Sequence, residues 1–399
     1  MSIDLSALLN SPLLQPWKDP QSGVVSYLLA NNAAPLQQSF YYVNPSFSRD
    51  GRYLWIYCAF PPGGLANSGR TLAVADFADG EIRHFPETDF LDASPMVDFD
   101  TGEAYWCTGP EIWKRGPGRN DPCHFVNALP NDLVKNRRPW RIATHLTISA
   151  DRRCLNLDST LGRETHIGAA PLNGDPVEIW ETMHAGFNHG QFSPVDSDLQ
   201  LIAQDSYVDP VTGEIPPVNN RMWLIRRGEK ARPIYANTAG GEKVVALDVH
   251  RGLPSREVDD GPGMHGHEWW GGDGSKVWFI HYGHGVKFVE WQTGHEELVW
   301  SFDGVSHAHS NTAGSLIVAD ALPPDRPDYS KVAFLNRATG RTVEILSYVP
   351  RLAARINRYH IHPHPQFCLD DQMICYTTTV NGRVSVALTP VETLIEATA

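Results

Sequence analysis

A pattern of alternating apolar and polar residues recurs along the chain. Each copy has an apolar run, a turn that carries Asp or Gly, and a second run rich in Trp, Tyr, Ile and Val. Alternation with a period of two predicts a strand buried on one side, and an Asp/Gly turn between two such runs predicts a β-hairpin. Seven copies are present, and they begin at Asn44, Ser94, His145, His189, His267, His309 and His364.

The spacing of these hairpins predicts the fold. Their turns recur about every 53 residues between Asp50 and Asp370, which is near the length of a four-stranded propeller blade. The widest gap holds two expected loop insertions, at 209–220 and 250–266. We therefore expect an all-β protein, a seven-bladed β-propeller; a pair of β-sandwiches is the alternative.

We expect a single propeller domain over residues 1–399 with short N- and C-terminal extensions. The extensions LSALLNSPLL and TPVETLIEATA each have the pattern of a short helix or strand. The 33 glycines and 30 prolines are spread over the whole chain, which suits many short strands and tight turns better than long helices. The propeller prediction therefore agrees with the composition.

Net charge and cysteine content narrow the classes of function. The formal charge of -13 argues against a nucleic-acid partner, because phosphate binding needs clustered Lys and Arg. It does not exclude a small anionic ligand in a locally positive pocket. The six cysteines lack CxxC spacing and are expected to be buried thiols in a reducing compartment. With neither a signal peptide nor a membrane span in the sequence, we expect a cytoplasmic location.

The histidines point to a metal. Equivalent positions of different blades face one central axis in a propeller, so histidines placed alike in several repeats are expected to converge. The pairs 307/309 and 362/364 have His-x-His spacing, which places both rings on one face of a strand. A single histidine is usually a structural residue, but this concentration favours metal binding. Seven histidines lie just before the first strand of a repeat: His189, His267, His307, His309, His360, His362 and His364.

The expected metal site is an open one. A closed structural zinc site normally uses cysteines, whereas nitrogen and oxygen ligands with open positions suit Mn²⁺, Fe²⁺ or Zn²⁺. GxSxG, P-loop and convincing GxGxxG motifs are absent from the sequence. Arg221 begins a strong apolar run and is expected to form a salt bridge at the rim, unless it shares a site with the histidines.

Five segments cover most of residues 40–390, and in order they are YYVNPSFSRDGRYLWI, NRMWLI, HEWWGGDGS, SHAHSNTAGSLIVAD and HPHPQF. Together they resemble the oligogalacturonate lyases, a family of β-propeller pectate lyases. The resemblance implies a seven-bladed propeller and a Mn²⁺-dependent β-elimination on short pectate oligomers. The implied partner is an anionic oligosaccharide, and the resemblance leaves the oligomeric state of the protein open.

The resemblance also implies roles for residues. His307, His362 and His364 match the family's metal ligands, Arg221 matches its proposed base and His267 matches its other active-site histidine.

One position departs from the family. Tyr359 stands where the family has a metal-binding glutamine, so the fourth ligand would be Gln366, His360 or water; we include Gln366 among the expected ligands. Arginine is an awkward base because its ordinary pKa exceeds 12. His267 or His189 is a chemically easier base.

We therefore expect a metal-dependent lyase of short uronic-acid oligosaccharides, oligogalacturonides above all. One alternative is the same chemistry on another uronate-containing glycan. A second is a propeller that only binds sugars or proteins, since fold does not fix function. A third is a metal hydrolase, which would add water to the linkage and form no new double bond.

Overall fold

The computed structural model describes most of the chain. The described residues are 3, 5–184, 186–205, 208–214, 218, 220–235, 265–322, 329–350 and 358–399. Nearly all of the insertion expected at 250–266 lies outside the described residues, and the one at 209–220 is described only in part.

The described strands form seven sheets, and the fold is an all-β seven-bladed β-propeller, as the hairpin spacing predicts. The chain begins with α1 (Leu5–Leu9), β1 (Leu14–Lys18) and β2 (Val25–Leu29). The next two sheets contain β3 (Leu36–Gln38), β4 (Tyr53–Ala59), β5 (Arg70–Asp76) and β6 (Glu81–Phe90), then β7 (Met96–Val97), β8 (Ala104–Thr108), β9 (Glu111–Arg115) and β10 (His124–Ala128).

The middle of the chain supplies three further sheets. After the short helix α2 (Asn131–Val134) come β11 (Cys154–Leu161), β12 (Glu164–Pro171) and β13 (Glu178–Met183). The next sheet has β14 (Phe187–Phe192), β15 (Leu199–Gln204), β16 (Met222–Arg226) and β17 (Arg232–Pro233). It is followed by β18 (His265–Trp270), β19 (Lys276–His281), β20 (Gly285–Glu290) and β21 (Glu296–Ser301).

The last two sheets bring the chain ends together. One contains β22 (Val305–Ser310), β23 (Leu316–Ala321), β24 (Tyr329–Asn336) and β25 (Arg341–Pro350). The other contains β26 (Gln366–Cys368), β27 (Met373–Thr378) and β28 (Ser385–Pro390), and β28 pairs antiparallel with β2. Both expected extensions contain helix, since α1 begins the chain and α3 (Val391–Ala397) ends it.

One expected hairpin is incomplete. The copy that begins at His145 has no regular first strand in the described structure, because only Ile148 forms an isolated bridge, to Leu155. Its sheet therefore has three strands, β11 to β13. The side chain of Asn156 explains the loss of the ladder: its Oδ1 accepts the Thr147 N–H and its Nδ2 donates to the His145 carbonyl.

The chain divides into two compact units. The first contains Met1–Trp106, Lys114–His124 and Val299–Ala399, and the second contains Cys107–Trp113 and Phe125–Leu298. Each has its own apolar core of buried residues. The six cysteines are free thiols; Cys58, Cys107 and Cys375 are buried as expected, whereas the other three are half-buried. Among the described residues, no helix combines the length and the hydrophobicity that crossing a membrane requires.

Trp55 offers a test of the core of the first unit. Its side chain is 0% exposed, and its Nε1 donates to the Gly102 carbonyl over 2.9 Å, between two neighbouring sheets. Trp55→Ala is expected to lower the free energy of unfolding by about 3–5 kcal/mol, because it leaves a large cavity and an unpaired carbonyl. Chemical denaturation measures this loss. Trp140→Ala, at a side chain 47% exposed, is the control; equal losses in the two variants would contradict the assignment.

Candidate functional site

Bulges in the first strands of two sheets carry predicted site histidines. Pairing of β14 with β15 shifts register between Asn188 and Gln191, and pairing of β18 with β19 shifts between Gly266 and Trp269. His189 and His267 lie inside these shifts, with φ of 56° and 53°. A bulge re-aims a side chain out of the regular alternation of a strand. These residues therefore lie within first strands, and not before them as the sequence pattern suggested.

The bulge at His189 is fixed by two buried side chains. The Gly190 N–H donates to Asp158 Oδ2 over 2.8 Å, and the Gly190 carbonyl accepts from Asn156 Nδ2 over 2.8 Å. A Cβ added at Gly190 would lie 3.0 Å from Asn156 Nδ2 and 3.1 Å from Asp158 Oδ2. Burial raises the pKa of Asp158 against the opposing effect of Arg141. His189 is thus held in position through the backbone hydrogen bonds of its neighbour, Gly190.

Four histidines form the imidazole cluster, which consists of His307, His360, His362 and His364. One ring nitrogen from each lies within 4.8 Å of the others. His307 and His364 are buried, while His360 and His362 are half-buried. The cluster is therefore accessible on the side of the latter two rings. Three of its members were expected as ligands, and His360 was expected only as a possible substitute.

The cluster is assembled from two segments of the first unit. His307 lies on β22, and the other three precede β26 in an irregular stretch. The ring centroids of His307 and His364 are 4.3 Å apart, as are those of His360 and His362. The expectation that strand alternation aligns 362 and 364 is therefore wrong. A positive φ of 44° at His364 turns the chain, and the rings meet through that turn.

Asp320 on β23 holds two members of the cluster. Its carboxylate accepts from His307 Nδ1 over 3.0 Å and from the His307 and His364 backbone N–H groups over 2.9 and 3.1 Å. A carboxylate on Nδ1 fixes the ring tautomer that leaves Nε2 as the electron-pair donor. This is the usual outer partner of a metal-binding histidine, and sequence reasoning did not find it.

Two further residues near the imidazole cluster, His309 and Gln366, differ in how they relate to it. His309 is outside the group, although the His-x-His spacing paired it with His307, because its ring has another partner: His309 Nδ1 accepts the Phe367 N–H over 3.0 Å. Burial lowers the pKa of His309 to about 4, so this ring is neutral at neutral pH. Gln366 is buried, and its Nε2 donates to the carbonyls of Phe40 and Tyr41; its role as a ligand stays a prediction.

The donor set of the imidazole cluster fits a divalent transition metal. Neutral imidazole is a common ligand of such ions, and four rings within reach of one point exceed the three protein ligands of a typical open site. No Asp or Glu of the described residues belongs to the group. A bound dication would keep its positive charge for an incoming anion.

A substitution at Asp320 tests the cluster as a metal centre. Asp320→Asn is expected to weaken metal binding about 10–100-fold, because the ring of His307 loses its charged acceptor. Isothermal titration with Mn²⁺ measures the dissociation constant. Asp303→Asn, at an exposed residue just before β22, is the matched control. An unchanged affinity in Asp320→Asn would contradict the role of this carboxylate.

The second unit contains an arginine–glutamate cluster, which consists of His189, Asp205, Arg221 and Glu268. Arg221 Nε donates to Glu268 Oε1, and Arg221 Nη1 lies 3.4 Å from Asp205 Oδ1. His189 Nδ1 lies 3.8 Å from Glu268 Oε2. The Glu268 side chain is 1% exposed and that of Arg221 is 16% exposed. Arg221 thus forms the salt bridge that the sequence suggested, and that pairing places it beside His189.

Charge pairing determines the protonation of this cluster. Burial works to lower the pKa of Arg221, but attraction to Glu268 and then to Asp205 outweighs it, and the pKa of Arg221 is raised above its usual value. Burial works to raise the pKa of Glu268, but Arg221 and His189 hold that pKa well below its usual range. Both groups are therefore charged at neutral pH. The sequence analysis did not identify Glu268. A carboxylate in the mostly apolar segment HEWW is unusual, and it could have indicated a buried charge that needs a partner.

His267 lies beside this cluster. Its Nδ1 is 2.9 Å from the Tyr282 hydroxyl. A Cβ added at Gly266 would lie 2.8 Å from that hydroxyl oxygen and 3.4 Å from Arg221 Nε. The structure therefore groups His189, His267 and Arg221 in the second unit. Their catalytic roles stay predictions.

Comparison with solved structures defines the fold further. Neither a protein-family model nor a curated protein matches the chain significantly in sequence. An oligogalacturonate lyase in complex with manganese superposes with a TM-score of 0.70 and 17% identity, over 94% of this chain and 96% of that one. The oligogalacturonate lyase of Vibrio parahaemolyticus gives a TM-score of 0.72 and 17% identity, over 96% and 97%.

The chain has the fold of the oligogalacturonate lyases. The similarity extends over nearly the whole length of both chains. At this identity it concerns the fold, and the chemistry has to be argued from the side chains of this protein.

Proposed function

We propose that this protein is a metal-dependent lyase that cleaves short uronic-acid oligosaccharides, oligogalacturonides above all, by β-elimination. The observation that carries the proposal is the imidazole cluster with Asp320 behind it. The fold of the oligogalacturonate lyases, one of them a manganese complex, supports it. We propose Mn²⁺ as an ion that sustains the reaction.

The chemistry requires removal of a weakly acidic proton. In a uronate the C5 proton is α to a carboxylate, and elimination forms a C4–C5 double bond while the C4–O bond breaks and the glycosidic oxygen leaves with its electron pair. A divalent ion on the carboxylate acts as a Lewis acid, which makes that proton more acidic. His307, His362 and His364 would hold the ion, with Nε2 of His307 as its donor atom.

The same cluster would favour an anionic substrate. Neutral imidazole ligands add no negative charge, and in the described part of the chain the carboxylate bonded to the cluster is that of Asp320, which accepts from His307 and His364. The ion's remaining charge attracts a carboxylate. An ion at this position would let the protein bind an anionic oligosaccharide without a basic surface. That suits a chain whose net charge is -13.

We assign proton removal to His189 ahead of Arg221 and His267. Arg221 is charged and paired with Glu268, so it would have to lose a proton that two carboxylates hold in place. The ring of His189 has a carboxylate at 3.8 Å from Nδ1, an arrangement that orients Nε2 and stabilises the ring after it accepts a proton. The partner of His267 is the neutral hydroxyl of Tyr282. Arg221 would then serve as a fixed positive charge.

Product analysis separates this function from its alternatives. Mass spectrometry of products from galacturonate and other uronate oligosaccharides should show a pair of fragments whose masses sum to that of the substrate. Hydrolysis would add one water to that sum. Cleavage of another uronate alone would keep the lyase and change its substrate. Binding of oligosaccharide without any cleavage would overturn the lyase in favour of a binding propeller.

A further inference from the structure

His360 belongs to the imidazole cluster on equal terms with the three histidines of the proposed metal site. Its ring nitrogen satisfies the same 4.8 Å limit. Its ring centroid is 4.3 Å from that of His362 and 5.1 Å from that of His364. A fourth imidazole is therefore within reach of an ion held by the other three.

The backbone around His360 is held in place. The Ala66 N–H donates to the Arg358 carbonyl over 3.0 Å, and Gln38 Nε2 donates to the Tyr359 carbonyl over 3.1 Å. The His360 carbonyl accepts the His362 N–H over 3.1 Å. His360 itself has a φ of 51°, a conformation that is costly for most residues and that tends to occur at ligand sites. The ring is positioned by this turn.

Among the described residues, the group that could hold an ion consists of imidazoles alone. The carboxylate of Asp320 is engaged by the His307 ring and by two backbone N–H groups. The Gln366 side chain donates from its amide nitrogen to backbone carbonyls. Imidazole suits iron, nickel, copper and zinc, whereas carboxylate and carbonyl oxygens suit manganese, magnesium and calcium.

We propose that His360 is a fourth nitrogen ligand and that it shifts the metal preference of this site away from Mn²⁺, toward later transition metals such as Co²⁺ and Fe²⁺. This inference rests on the metal centre of the proposed function, and not on the substrate or the reaction. It makes the site an all-imidazole one, in which any remaining coordination position is left to water or substrate.

Competition between Mn²⁺ and Co²⁺ tests the inference. Metal-stripped full-length protein is dialysed against a mixture of the two ions, and bound metal per chain is measured by elemental analysis. His360→Gln, which offers an amide oxygen, is expected to lower the bound Co²⁺-to-Mn²⁺ ratio about tenfold, since one nitrogen donor becomes an oxygen donor. The visible spectrum of the bound Co²⁺ should also change. His124→Gln, at an exposed histidine on β10, is the matched control.

A second variant protects the test from a folding artefact. His360→Asn provides an amide in a residue that adopts positive φ readily, and it should lower the ratio in the same direction. One bound metal per chain with an unchanged ratio and an unchanged Co²⁺ spectrum in both variants would overturn the role of His360 and leave the proposed lyase intact. Failure of the wild-type protein to bind either ion would overturn both.

Discussion

Replacement of His362 by alanine is expected to lower the rate of elimination about a thousandfold and to remove most of the bound metal. The ring centroid of His362 is 5.3 Å from that of His307, 4.3 Å from that of His360 and 5.5 Å from that of His364. A Lewis-acidic ion supplies several kcal/mol of transition-state stabilisation, and each 1.36 kcal/mol is tenfold in rate.

The fold should tolerate this change. His362 is half-buried and precedes β26, so circular dichroism and thermal unfolding are expected to match the wild type. His124→Ala, at an exposed position, controls for the loss of an imidazole as such. Full activity in metal-free His362→Ala protein would contradict the metal mechanism.

Replacement of His189 by asparagine is expected to lower kcat about 10²–10⁴-fold, the range usual for loss of a general base. Asparagine suits this position because it tolerates the positive φ of 56° that the bulge imposes. Metal content should stay at the wild-type level, since His189 is not a member of the imidazole cluster. Steady-state kinetics with a defined oligosaccharide, and elemental analysis of the same sample, measure both quantities.

Two further variants make the assignment of the base sharper. His184→Asn changes an exposed histidine of the same unit and should have wild-type activity. Arg221→Lys keeps a positive charge beside Glu268, so it is expected to retain more activity than His189→Asn. If Arg221 were the base, the order would be reversed and the wild-type rate would rise into the alkaline range, because the pKa of Arg221 is raised.

The repeat could be predicted because every hairpin has a local signal. A buried alternating run on each side of an Asp/Gly turn is visible in the sequence, and its period gives the number of blades. The incomplete hairpin at His145 could not be predicted, since its ladder is lost to a side chain, that of Asn156, with backbone bonds at Thr147 and His145. The pattern of apolar and polar residues does not show where a side chain competes with a neighbouring strand for backbone hydrogen bonds.

The candidate site was predictable in residue type more than in geometry. His307, His362 and His364 are marked by their concentration near first strands. Bulges at His189 and His267 and the turn at His364 depend on backbone conformations that the period of a strand does not encode. Asp320 was missed for a different reason. Its contact with His307 spans neighbouring strands, 13 positions apart, and carries no motif.

The measurement that tests the account most directly is the ultraviolet absorbance of the conjugated unsaturated uronate, with di- and trigalacturonate as substrates. Protein is stripped of metal, assayed, then supplied with Mn²⁺ and assayed again, with bound metal per chain measured in parallel. We expect absorbance that rises only after metal is restored and that fails to rise in His362→Ala. Absorbance that rises equally in the stripped protein, or none with galacturonates or other uronates in protein that holds one metal per chain, would contradict it.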